Sequence, residues 1–212
     1  MPLSSAALSA LQRKIWAGSL PLEIRLAPAD CRTYADSEPY LIQYPRLSYL
    51  AFLLPRLLAF FKPKLIDPSV PVTEAWFEFE GVPLKWHYAS GLLYDLFAGA
   101  EPADPSRQAD VEASQAAVET ATGREPLPWK ILVHFSDYPE QLYQLDEEGK
   151  VLWDMYRNAV KEADFIRNGN ARTAMGLSKQ DSDDLWKSVE TRTTILQAIQ
   201  LGFAMLTLSR QP

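Results

Sequence analysis

EAWFEFEGVPLKWHYASGLLYDL, residues 74–96, carries two structural periods in succession. Ala75, Phe77 and Phe79 fall on one face with Glu78 and Glu80 on the other, the period of a half-buried strand. Gly81 and Pro83 break the run before a second short stretch, which predicts a hairpin. From Ser90 the period becomes helical: Ser90 is the expected N-cap, Leu93, Leu96 and Phe97 share a face, and Gly99 ends a short helix.

Upstream, LPLEIRLAP (20–28) places Leu20, Leu22, Ile24 and Leu26 at alternate positions, a second strand. RLSYLAFLLPRLLAFFK (46–62) is apolar nearly all round, as a helix buried against a sheet reads, with a kink or early stop expected at Pro55. Downstream, PWKILVHFS (128–136) sets Trp129, Ile131, Val133 and Phe135 in register, with Leu132 opposite. Strand, long helix, hairpin, short helix and closing strand predict an α+β fold, a small mixed sheet wrapped on one helix in the ubiquitin-like β-grasp manner. Strict strand–helix alternation, the mark of a parallel α/β fold, is absent from the pattern.

Between the short helix and the closing strand, residues 99–127 hold no aromatic residue and six acids against two arginines, so a flexible acidic loop is expected. The loop accounts for −4 of the net charge of −6. The remainder is nearly balanced, and without a basic tract nucleic acid is not an expected partner.

From Asp146 the chain turns helical again. Asp146, Glu147 and Glu148 supply a cap and negative charge, and Leu152, Met155, Ala159, Ala163 and Ile166 form one apolar stripe. At ~100° per residue, Lys161 lies roughly 160° from the centre of that stripe and is expected to point to water. A second helix is predicted over 181–190, capped by Asp181 or Ser182, with Leu185, Trp186 and Val189 facing inward. The organisation is therefore a first domain over 1–145, a helix-rich region over 146–192 and an atypical apolar tail over 193–212.

Residues able to carry chemistry are few. Cys31 is the sole cysteine, which rules out an intrachain disulfide and fits a reducing, cytosolic setting. A Cys/His enzyme would need Cys31 with His87 or His134, yet no short-range motif ties them together. His134 between apolar strand neighbours reads as a structural histidine, and His87 between Trp86 and Tyr88 as a packing residue. No ligand spacing for a metal and no phosphate or dinucleotide loop is present, so neither catalytic residues nor a cofactor is expected. The start of the chain has no secretory pattern, and no run reaches the ~18 apolar residues of a membrane span.

The run 74–96 with its WHY and short helix closely resembles the autophagy protein 5 family. IWAGSLPLEIRL near the start, YPRLSYL (44–50), PWKILVHFSDYP (128–139) and VKEAD (160–164) are similar in the same order. The resemblance covers about residues 10–190 apart from the acidic loop. It implies a first ubiquitin-like domain, then a helix-rich region bearing the lysine joined to the C-terminal glycine of ubiquitin-like autophagy protein 12. KEAD carries that role to Lys161. It implies further that the conjugate binds autophagy protein 16 and promotes transfer of autophagy protein 8 to phosphatidylethanolamine, in the cytoplasm and peripherally on the isolation membrane.

An ordinary lysine is almost wholly protonated at neutral pH, while only the free amine attacks a thioester. The conjugating enzyme is therefore expected to supply base and orientation. After LWKSVETR (185–192) the family would continue into a second ubiquitin-like domain; here twenty mostly apolar residues follow, among them the run Ile195 to Leu208. Because the family's autophagy protein 16 groove uses both such domains, the resemblance leaves binding of that partner by this chain open. Two alternatives stand beside this reading: a noncovalent β-grasp adaptor, and a shortened product unable to support lipidation.

Overall fold

The computed structural model describes residues 5–33, 37–98 and 127–191. The acidic segment 99–127, apart from Leu127, and the tail 193–212 lie outside the described residues.

One mixed sheet is built from β1 (Ser19–Leu26), β2 (Tyr40–Pro45), β3 (Trp76–Phe79), β4 (Val82–Pro83) and β5 (Trp129–His134), in the order β2-β1-β5-β3-β4. β1 runs parallel to β5 and antiparallel to β2, and β3 is antiparallel to both β5 and β4. This is a β-grasp sheet, the fold class the sequence pattern predicts, with β2 added at its edge. The register puts Leu22 opposite Trp129, Ile24 opposite Ile131 and Leu26 opposite Val133, so the alternating apolar residues of both strands share one buried face. Phe77 continues that face opposite Val133.

A helix, α2 (Leu54–Phe61), closes the core with Leu54, Leu57 and Phe61, all within 1 % of full burial. The long helix expected over 46–62 is shorter. Residues Leu50–Leu53 form a 3-10 turn, and Pro55 falls in the first turn of α2. At that position its missing N–H breaks no helical hydrogen bond, so proline starts this helix where it was expected to kink or stop one.

The hairpin turns through Glu80 and Gly81, with φ of 48° and 80°. Two positive φ values give the tight turn whose twist matches the strands, and Gly81 takes its position without strain. After it comes α3 (Ser90–Phe97), but Ser90 does not cap it. Ala89 occupies the cap, and the Ser90 hydroxyl donates to Pro45 O at 2.6 Å, tying the helix to the end of β2. Gly91 N donates to Arg46 O at 2.8 Å, and a Cβ at position 91 would meet Arg46 Cβ at 2.7 Å. Close approach of the two backbones is what requires glycine there.

The end of the parallel pair is fastened by Asp30, whose buried carboxylate accepts the Phe135 amide at 2.9 Å. Two elements of the sheet domain went unassigned in the sequence, α1 (Ser5–Ala17), whose Leu11 and Ile15 remain exposed, and the edge strand β2, as did the short helix over Arg172–Met175 further on.

Candidate functional site

The helix-rich region consists of α4 (Lys150–Asn168), α5 (Arg172–Met175) and α6 (Lys179–Thr191). The Asp146 carboxylate accepts the amides of Lys150 at 2.8 Å and Val151 at 3.0 Å, so the expected cap acts on a helix that begins four residues later. Gly169, at φ 70°, ends α4 in the left-handed cap that glycine permits. α6 is capped by neither Asp181 nor Ser182. Ser178 Oγ accepts the Asp181 amide at 3.1 Å and donates to the Asp181 carboxylate at 2.7 Å, so Ser178 is the N-cap.

The apolar stripe expected on α4 is partly wrong. Leu152 is buried and Met155 packs on the core, as expected, but Ala159 and Ala163 are exposed and Ile166 is 84 % exposed. The inward face instead runs Leu152, Tyr156, Val160 and Asp164. Two contacts rotate it. Tyr156 stands edge-on to Tyr49 at 6.5 Å and meets Trp186 at 5.3 Å, while Trp186 meets Phe52 at 5.5 Å, an aromatic chain docking the bundle on the β-grasp core. Further along, the Asp164 carboxylate accepts the Ala174 amide at 2.9 Å and Asn168 Nδ2 at 2.6 Å, and so caps α5 from the side. The Ala174 amide, chiefly, holds that carboxyl below the usual carboxylate range, against the opposing effect of desolvation.

This rotation moves Lys161. It does not project into open water but is half-buried on the border of a groove of about 510 Å³ between α4 and the α5–α6 pair. Trp153, Tyr156, Val160, Leu177 and Leu185 contribute the apolar lining. Arg157, one helical turn before Lys161, lies over the Trp153 ring at 4.4 Å, and Lys179 faces both from the start of α6. Among the described residues the Lys161 side chain takes part in no ion pair. Two large apolar side chains flank it on the outside: Phe165, one turn further and 60 % exposed, and Met175 across the groove, 73 % exposed. The inward pair Trp186 and Val189 packs on the core as the spacing predicts, and Leu185 turns to the groove.

The other candidates lie in separate surroundings. Cys31 Sγ sits 3.5 Å from Thr33 Oγ1; that hydrogen bond, with Lys64 and Arg32 nearby, draws its thiol down from the ordinary value. His134 stacks on Trp76 with centroids 3.9 Å apart and lies 3.0 Å from Glu78 and 3.9 Å from Asp30. Burial nevertheless lowers its pKa, as the two carboxylates only partly offset desolvation. His87 packs between Trp86, Tyr88 and Tyr143. Among the described residues no group of three or more His, Cys, Asp and Glu is placed to hold a metal, and no helix is long and apolar enough to cross a membrane.

Two family models match the chain: the UblA domain of autophagy protein ATG5 over residues 15–135 and the ATG5 alpha-helical bundle region over 149–194. Autophagy protein 5 of Aspergillus oryzae is 54 % identical over 188 residues, which is 88 % of this chain and 58 % of that protein. Its counterpart in Coccidioides immitis is 50 % identical, covering 90 % of this chain and 61 % of that protein. The chain thus spans about three fifths of the length of these curated relatives. The crystal structure of Kluyveromyces marxianus Atg5 superposes with a TM-score of 0.69 at 22 % identity over 95 % of this chain and 69 % of that one, a likeness of fold. With one model matching the β-grasp sheet and the other the helices beside it, this chain belongs to the autophagy protein 5 family.

Proposed function

We propose that the chain acts in autophagy as a scaffold that offers Lys161 to the ubiquitin-like modifier autophagy protein 12. The observation carrying the proposal is the setting of that amine: on a helix capped at both ends, at a groove border, and free of ion pairs among the described residues. In the reaction the amine nitrogen attacks the thioester carbonyl held by the conjugating enzyme. The C–N bond forms as the C–S bond breaks, the sulfur leaves on the enzyme's cysteine, and the proton lost by nitrogen passes to a base the enzyme supplies.

In this reading the conjugate, with autophagy protein 16 and peripheral on the isolation membrane in the cytoplasm, is a ligase-like scaffold for joining autophagy protein 8 to phosphatidylethanolamine. It positions another enzyme and contributes no catalytic residue of its own. Family membership and the KEAD match support the assignment. The test is reconstitution with autophagy protein 12 and its activating and conjugating enzymes, the adduct being mapped by mass spectrometry. An isopeptide at Lys161, absent from Lys161→Arg, is the expected result; an adduct that persists in the arginine variant, or none on the folded wild type, refutes it.

A further inference from the structure

The groove beside Lys161 has a composition that presenting one amine does not need. Arg157, Lys161 and Lys179 stand against a single lining carboxylate, Asp183, above an apolar floor. None of the three cations forms an ion pair among the described residues. Two further carboxylates on these helices are engaged elsewhere: Asp181 with the Ser178 hydroxyl, Asp164 with Asn168 and the Ala174 amide. A volume of about 510 Å³ takes a few side chains, not a helix.

We propose that this groove docks a short extended peptide of alternating acidic and apolar residues, and that its occupancy masks Lys161. Charge complementarity selects the acids, and the floor of Trp153, Tyr156 and Leu185 selects the apolar anchor. Spacing fits as well: Arg157 and Lys161 are one helical turn apart, about 6 Å, close to the ~6.8 Å between alternate residues of an extended chain. Acids at alternate positions therefore meet both cations while the intervening side chains turn to the floor. An amine paired to such a carboxylate is held away from any acyl donor. The masking rests on the acceptor reading above; the docking does not.

The probe is a fluorescein-labelled amidated peptide, GELEWEG, with GKLKWKG as the charge-reversed control, read by fluorescence anisotropy on the full chain. The acidic peptide binds, the basic one does not, and affinity falls as salt is raised. Arg157→Glu, and independently Lys179→Glu on the opposite wall, each weaken binding at least about tenfold. In the wild type the acidic peptide slows acetylation of Lys161 by N-hydroxysuccinimidyl acetate, mapped by mass spectrometry, while Lys130 on β5 keeps its rate. Equal binding of the two peptides, or equal protection of Lys130 and Lys161, overturns the proposal, and both comparisons need no variant. A missing isopeptide in reconstitution defeats the acceptor reading alone and leaves these measurements standing.

Discussion

Replacing Asp164 by alanine tests whether one inward carboxylate sets the geometry of the groove. Asp164 accepts the Ala174 amide and Asn168 Nδ2, and Ala174 lies both in α5 and in the groove wall. Removing a helix-capping acceptor and leaving a part-buried amide unpaired costs about 2 kcal/mol, which multiplies the population of detached α5 about thirtyfold. Amide hydrogen exchange reads this locally: the Ala174 amide loses protection by that factor in Asp164→Ala, while β1 and β5 amides exchange as before. Asp164→Asn keeps one acceptor oxygen and loses less. The carboxyl also titrates below its ordinary range in the folded chain. Its stabilisation is therefore fully present above about pH 4 and drains away as pH falls through the depressed value. Wild-type Ala174, corrected for intrinsic exchange, opens in that acid window and the alanine variant shows no such step. Unchanged protection of Ala174 in Asp164→Ala refutes the cap and, with it, the account of why α4 is rotated.

Gly91→Ala forces a Cβ to within 2.7 Å of Arg46 Cβ and 2.9 Å of its carbonyl oxygen, so the backbone must part; a loss of about 1–3 kcal/mol, seen as a lower urea midpoint at unchanged slope, is expected. His134 titrates low because it is buried, so it contributes stability that is present above the ordinary histidine pKa of 6.5 and lost as pH falls below it. His134→Phe keeps a ring on Trp76 and removes the proton, and the fall in melting temperature between pH 7 and pH 5 shrinks accordingly. His87, also lowered chiefly by burial, leaves a residual fall of the same sign.

The sheet was readable wherever one strand face is apolar and the other is not. Leu20, Leu22, Ile24 and Leu26 alternate with Glu23 and Arg25, and Trp129, Ile131 and Val133 are buried in turn, so period alone places them. β2 escaped because Tyr40, Leu41 and Ile42 are all apolar while the strand is an edge: Leu41 faces solvent, and no contrast marks the inward side. α1 escaped for a related reason, since its Leu11 and Ile15 have helical spacing but no burial to give the spacing meaning. The caps at Ser90 and Asp181 were misplaced by a short distance each, because a serine or aspartate near a helix start is a local signal and its partner is tertiary. Pro45 O claims Ser90, and Ser178 claims Asp181.

The error on α4 reached the site, and its cause is physical. Hydrophobicity favoured Ala159, Ala163 and Ile166, yet the chain buries Tyr156 and Asp164, a phenol and a carboxylate. A tyrosine brings more area to an aromatic contact than two alanines, and an aspartate turns inward once it finds a helix start to cap. Both gains depend on Trp186 and Ala174, which the α4 sequence does not contain. Their effect is to carry Lys161 from an open face to a wall it shares with Arg157 and opposite Lys179. An amine on an open face differs little from any other surface lysine. One set at an apolar groove has defined neighbours, and that placement, which Lys161 shares with Lys179 on the opposite wall, separates these two from the other described lysines.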